Sequence, residues 1–317
     1  MRMKSAILRS APIFATMLLG CTTSEFSYMT ADRQMALARE LYSTDIYNTF
    51  YYTNSVLDNA EIAVDYDRDT DRIVFDYQRD RRDWRPGRVR WLEVDGVRNV
   101  RDCGGWNGLR PGRMYRGAEM DGSQFRGIDP NNPDAKKHAN DLTEKGREVM
   151  RREMRIACDL DLRKTEGRVQ HSPIGDDIRL ELHPVKAYKA FLEDKDTSAR
   201  CLKVFADEHN FPIYVHCAGG ADRTGTVCAL IEGLCGAQEA DVCTDYELTT
   251  YGIGRRARTD RPYGFATLMS EVKKRNGSTL AEKIADLMEN HFGLTKDEIA
   301  AIRRNLRKNQ HASPAGQ

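Results

Sequence analysis

Val215-His216-Cys217-Ala218-Gly219-Gly220-Ala221-Asp222-Arg223-Thr224-Gly225 is the stretch on which the fold turns, because a cysteine and an arginine flank a small, glycine-containing loop. Ahead of it, the apolar run Phe211-Pro212-Ile213-Tyr214-Val215 predicts a buried parallel strand. Behind it, Thr226 to Leu234 predicts a helix. A strand, a tight loop and a helix N-terminus together form an anion site, since successive backbone N–H groups converge there and the helix dipole adds partial positive charge.

The residue types in the loop match chemistry on a bound phosphate. A helix start and a neighbouring cation favour the thiolate form of a cysteine, so Cys217 is the candidate nucleophile. Arg223 carries a planar fork of donors that fits two non-bridging phosphate oxygens. The remaining cradle is expected from the backbone of Ala218, Gly219, Gly220, Ala221 and Asp222. The glycines at 219, 220 and 225 allow close approach of backbone to ligand. Thr224 is placed to donate its hydroxyl to the sulfur, and His216 to fix the loop through its ring nitrogens rather than to act as a base. Each residue alone fits an ordinary buried turn; the joint spacing has few purely structural explanations.

This loop resembles that of the Cys-dependent protein tyrosine phosphatase superfamily, His-Cys, five residues, Arg-Ser/Thr-Gly. The form His-Cys-x-x-Gly-x-Asp-Arg-Thr-Gly is similar to the bacterial tyrosine/dual-specificity branch. Four further stretches match that branch in order: Val97-Arg98-Asn99-Val100-Arg101-Asp102-Cys103-Gly104-Gly105, Met114-Tyr115-Arg116-Gly117-Ala118, Asp159-Leu160-Asp161-Leu162-Arg163, and Asp245-Tyr246-Glu247-Leu248-Thr249. The resemblance covers residues 96 to 308. It implies an α/β fold, with a central, mostly parallel sheet flanked by helices, and phosphate monoester hydrolysis through a cysteinyl-phosphate, with no cofactor and no metal. Phosphotyrosyl or dual-specificity protein substrates lead. An inositol polyphosphate (phytase-like) or phosphoinositide phosphatase is the alternative, and an inactive anion-binding lipoprotein a remote one. Ala221 stands where several phosphoinositide-active members carry lysine, and Asp222 where phytase-like members usually carry glycine; both count against inositol phosphates.

A leaving alcohol needs a proton, normally from a carboxylic acid beside the ester oxygen. The resemblance implies Asp222 in that role. Asp176 and Asp177, in the polar loop ahead of a strand at Arg179 to Val185, compete with it, although no Trp-Pro-Asp run occurs there. Asp161 is expected to hold Arg163 or the loop.

At the N-terminus, Arg2, Lys4 and Arg9 precede an apolar stretch, Ala11 to Leu19, which is far shorter than the ~20 residues that span a bilayer. Residues 1–20 therefore read as a signal peptide. Leu18-Leu19-Gly20-Cys21 resembles a bacterial lipobox, which implies lipidation of Cys21, a membrane attachment through that anchor, and a place in the cell envelope, at the outer membrane facing the periplasm or secreted. Export leaves two states open for Cys103, Cys158, Cys201, Cys228, Cys235 and Cys243: disulfides, or buried free thiols. No Cys-x-x-Cys pair occurs, which argues against a zinc site.

The expected organisation continues with a tether and short helix at 21–43, a small β-rich appendage at 44–95, the catalytic domain at 96–310 and a disordered tail at 311–317. In the appendage, Ile62, Val64 and Tyr66 alternate ahead of a polar turn, and Ile73, Phe75 and Tyr77 follow it, a hairpin pattern. The turn Asp65 to Asp71 lacks the glycine and glutamate of a calcium loop. Arginine runs at Arg79 to Arg90 and Arg255 to Arg261 are solvated faces or attract a phosphorylated substrate. A net charge of +1 speaks against nucleic acid as a partner. Asp129 to Asn140 is a surface loop, and Leu280 to Phe292 and Thr295 to Leu306 read as amphipathic helices, the second with Thr295 and Glu298 in a capping box.

Overall fold

The computed structural model describes residues 64–67, 72–75, 91–104, 108–122, 140–165, 167, 169–249 and 264–307. The expected signal peptide, Cys21, the expected tether and helix of 21–43, both arginine runs, most of the loop at 129–140 and the expected tail lie outside the described residues.

Strands β1 (Val64–Asp67) and β2 (Arg72–Phe75) pair antiparallel. Val64 sits opposite Phe75 and Tyr66 opposite Ile73, so the two alternating apolar sets are cross-strand partners. The main sheet holds β3 (Arg101–Asp102), β4 (Met114–Gly117), β5 (Cys158–Asp161), β6 (Arg179–Leu182) and β7 (Ile213–His216) in the order β3-β4-β7-β5-β6. β7 lies parallel between β4 and β5, β6 continues the parallel run, and β3 closes the other edge antiparallel to β4. The fold is thus α/β with a mostly parallel central sheet.

Burial on both faces explains the continuous apolar run into β7. Ile213 and Val215 face a core with Met114, Leu160 and the helices that follow, while Tyr214 faces a second core with Tyr115, Met150 and Met154. The second core also takes in Leu92 and Val94, and Leu92 N donates to Val100 O (3.0 Å), so the packed body begins ahead of the boundary expected at residue 96. At the β6 edge, Arg179 pairs with Glu181 (2.7 Å) and Asp207 (3.1 Å), charges that discourage further strand pairing.

The helices are α1 (Glu144–Glu148), continued by a π turn at Val149–Glu153, α2 (Lys189–Glu193), α3 (Lys195–Lys203), α4 (Asp222–Leu234), α5 (Glu239–Leu248), α6 (Phe265–Lys273), α7 (Leu280–Asp286) and α8 (Lys296–Leu306). Thr295 caps α8 and exchanges hydrogen bonds with Glu298 as expected; Thr279 and Glu282 do the same for α7, which passes into a π turn at Leu287–His291. The helix after the loop starts at Asp222 instead of Thr226. Its first turn closes when Gly225 N donates to Ala221 O (2.7 Å), and an acidic residue in a first turn suits the helix dipole. That correction moves Asp222, Arg223 and Thr224 from the loop onto the helix. The strand expected over 179–185 ends at Leu182, because Pro184 has no N–H to continue the ladder. Among the described residues no cysteine forms a disulfide, and each is buried.

Candidate active site

Cys217 directly follows β7, the central strand, and is 3% exposed at the foot of the loop. The shape of the loop is set by where its carbonyls go. Ala218 O accepts from Glu119 N (3.0 Å). Asn99 Nδ2 donates to both Gly219 O and Gly220 O (3.1 Å each). Arg116 Nη2 donates to Gly220 O (2.8 Å) and Ala221 O (3.4 Å). In a trans peptide the N–H points opposite the preceding C=O. With four successive carbonyls held from the buried side, the N–H groups of Gly219, Gly220, Ala221 and Asp222 turn to the other side, an arrangement with the convergent donors that an anion site needs. Gly220 is required for this path: its φ is +65°, and a Cβ there would lie 2.1 Å from Gly117 O.

A buried charge network holds those donors. Asp245 on α5 accepts from Arg101 Nε (2.8 Å) and from Arg116 Nη1, and all three side chains are buried. Arg101 also donates to Asn99 Oδ1 (2.6 Å), Asp245 O (2.7 Å) and Thr249 Oγ1 (3.2 Å). Burial alone would push the Asp245 carboxyl up, but the two guanidiniums outweigh it and hold the carboxyl below its ordinary range. Three of the stretches singled out by resemblance therefore meet on one side of the loop. The sequence reading gave Asn99, Arg101, Arg116 and Asp245 no role; the signal was polar residues recurring inside otherwise buried stretches. Glu232 on α4 lies close enough to feel Asp245, Arg116 and Arg101, is fully buried, and has no hydrogen-bond partner at either oxygen. Burial, with the Asp245 charge beside it, keeps it a neutral acid.

His216 sits between carboxylates. Its Nε2 is 2.9 Å from Asp159 Oδ1 and 4.0 Å from Asp161 Oδ1, its ring stacks on Tyr214, and Nδ1 approaches Cys217 O (3.4 Å). The Asp159 contact is poorly aligned for a hydrogen bond and acts as an ion pair. Burial would lower the imidazole, yet Asp161 and Asp159 more than offset that and push it up to about 9. An imidazolium cannot accept a proton at neutral pH, in keeping with a loop-holding His216 and not a base.

On the open side, Asp222 and Arg223 are partly exposed in the first turn of α4. Arg223 Nη1 donates to Leu162 O (3.3 Å), while Leu162 N donates to His216 O (2.9 Å), so the strand end at 159–163 positions the arginine through backbone. Asp222 Oδ1 accepts from Tyr188 Oη, a partner absent from the sequence reading. Thr224 departs from expectation: its hydroxyl is buried and has no hydrogen-bond partner, so the bond to the Cys217 sulfur is not made.

Two of the rival acids, Asp161 and Asp177, are committed elsewhere. Asp161 accepts from Arg163 Nε (2.9 Å) and Nη2 (2.7 Å), and Arg163 also binds Glu119 (2.8 Å) and Asp121 (2.7 Å). Asp177 pairs with Arg151 (2.5 Å), whose hydrogen bond holds the carboxyl below its usual range. The loop carrying Asp176 and Asp177 is pinned at its base, where Ser172 Oγ donates to Asp159 (2.7 Å) and Arg147 Nε to Pro173 O (2.9 Å).

No curated protein matches the chain. Among solved structures that resemble it is the core catalytic domain of the PP-IP phosphatase SIW14 from S. cerevisiae in complex with citrate, 13% identical, with 51% of this chain and 84% of that chain covered and a TM-score of 0.31. Residues 92–308, which carry the whole loop, its buried network and the open side, match the family described as the tyrosine phosphatase family, and the chain belongs to it.

Proposed function

We propose that the protein hydrolyses phosphate monoesters through a cysteinyl-phosphate, with phosphotyrosyl or dual-specificity protein substrates. The observation that carries this reading is the loop whose carbonyls are all drawn to the buried side, with Cys217 at its foot and Asp222 and Arg223 on the first helical turn. The Cys217 sulfur attacks phosphorus as the ester P–O bond breaks, and Asp222 gives its proton to the departing oxygen. Arg223 and the loop N–H groups hold the equatorial oxygens, where charge collects. Water then attacks phosphorus, Asp222 takes its proton, and the sulfur leaves as thiolate, restoring the enzyme with release of inorganic phosphate. Arg223 is the loop's own cation and Ala221 adds none, which fits singly phosphorylated side chains better than highly charged inositol phosphates.

The full chain in detergent, with EDTA present, is assayed on phosphotyrosyl and phosphoseryl peptides, phosphoinositides and phytate. Turnover of the phosphotyrosyl peptide is expected, and Cys217→Ser lowers it by about 10³-fold or more. Full activity in that variant overturns the mechanism, and preference for phytate overturns the substrate class. Asp222→Asn is expected to cost about 10²-fold on alkyl phosphates and much less on aryl phosphates with good leaving groups. Equal losses reassign the acid. The same proposal tethers the enzyme to the cell envelope through a lipid on Cys21, supported by the lipobox-like Leu18-Leu19-Gly20-Cys21. A mature mass that starts at acylated Cys21 is expected, and an unmodified soluble form excludes it.

A further inference from the structure

Tyr188 lies outside every stretch that marks the family and outside the loop, yet it reaches the proposed acid. It stands just ahead of α2, and its Oη donates to Asp222 Oδ1. Its backbone has φ +56° and ψ −129°, a conformation that non-glycine residues rarely hold and that persists only where the surroundings impose it. What imposes it here is Thr226: Tyr188 N donates to Thr226 Oγ1 (2.9 Å), and that hydroxyl donates to Asp222 O (2.9 Å). One side chain on α4 thus ties the Tyr188 backbone to the Asp222 backbone, while the phenol meets the carboxyl.

A second tyrosine stands behind the first. Tyr246 Oη is 2.6 Å from Tyr188 Oη, and the Tyr246 ring is stacked on Phe265 with centroids 4.1 Å apart. A phenol has one proton to donate. Since that of Tyr188 goes to Asp222, the hydrogen between the two phenols belongs to Tyr246, and the chain runs Tyr246 to Tyr188 to Asp222. Burial and the Asp222 charge push the Tyr188 phenol well above its ordinary range, so it remains a donor through the working pH range.

We infer that Tyr188, backed by Tyr246, is a positioning residue for the acid–base carboxyl of Asp222: its hydrogen bond to Oδ1 fixes the orientation in which that carboxyl presents its proton. This rests on the reading of Asp222 given under Proposed function. In the first half of the reaction the neutral carboxyl is held in that orientation. After transfer, the same hydrogen bond stabilises the carboxylate until water returns a proton to it. The tyrosine forms no bond to substrate and loses no proton. Its effect is confined to steps in which Asp222 moves one.

The test compares full-length Tyr188→Phe, Asp222→Asn and the double variant on p-nitrophenyl phosphate, whose leaving group needs little protonation, and on a phosphoseryl peptide, whose leaving group needs much. Tyr188→Phe is expected to lower kcat on the phosphoseryl peptide by about 10-fold, the size of a lost hydrogen bond to a charged group. It should leave KM unchanged and kcat on p-nitrophenyl phosphate nearly so. In the Asp222→Asn background it should cost nothing more. Equal losses on both substrates, no loss, or a full additional loss in the double variant overturns the inference. If Asp222→Asn itself is unselective while Cys217→Ser is dead, the acid assignment is what fails; if Asp222→Asn is selective and Tyr188→Phe is not, only the positioning fails. Should Tyr188→Phe not fold, Tyr246→Phe decides, because it removes only the donor behind Tyr188. A smaller loss with the same selectivity supports the chain of phenols, and an unselective loss or none overturns it.

Discussion

The two sides of the Cys217–Arg223 loop are held by opposite means. On the buried side, Arg101, Arg116, Asn99 and Asp245 pair with one another and with the loop: the Asp245 carboxylate accepts from both guanidiniums, and Gly220 O accepts from Asn99 and Arg116. On the open side, Asp222 and Arg223 are partly exposed, Tyr188 Oη meets the Asp222 carboxyl, and Arg223 reaches the Leu162 carbonyl. The contrast follows from what each side has to do. A scaffold gains from saturation, because a buried charge left unpaired is costly. A group proposed to exchange a proton or grip a ligand is instead placed by the backbone and by well-aimed neighbours.

The contrast breaks first if the buried side proves dispensable to stability. Asp245→Ala strands two buried guanidiniums and is expected to cost about 3–5 kcal/mol in urea unfolding. A variant that loses activity but keeps its stability shows that Asp245 belongs with the reacting groups instead. Next in size is the His216 ion pair. The folded imidazole is held up at about 9, against roughly 6.5 in an unfolded chain. Its contribution, roughly 3 kcal/mol from that difference, is fully present below pH 6.5 and is lost as pH rises through 9. Urea midpoints should fall between about pH 6.5 and 9, and His216→Gln should flatten that slope; an unchanged slope sinks the assignment. The smallest effect is expected at Glu232. As a neutral acid with unpartnered oxygens it resembles glutamine in charge and size, so Glu232→Gln should change stability by less than about 1 kcal/mol. A cost matching that of Asp245→Ala would mean that Glu232 is ionised and belongs to the network.

How much of this was legible depended on distance along the chain. The strand into Cys217 and the glycine-rich turn after it are local features, visible in an apolar run and in residues that permit a tight path. The α8 cap was visible for the same reason, since Thr295 and Glu298 stand within one turn. The start of α4 was misplaced by one turn because Asp222-Arg223-Thr224 has loop-like composition, and only the Gly225 to Ala221 hydrogen bond closes it into helix. Arg101 and Asp245 are separated by 144 positions, and no periodicity links them. Tyr188, 34 positions from Asp222, carried no motif at all.

By itself, then, the sequence determined the chemistry on offer: one cysteine, one arginine and one aspartate at a spacing that suits a phosphate, in a strand–loop–helix unit that short-range sterics and hydrogen bonding specify. The tertiary structure alone decided which carboxyls are locked to arginines and which tyrosine meets Asp222. Those outcomes depend on burial and on pairings between distant segments, because the energy of a charge or a polar group is set by what surrounds it after folding and not by its neighbours along the chain.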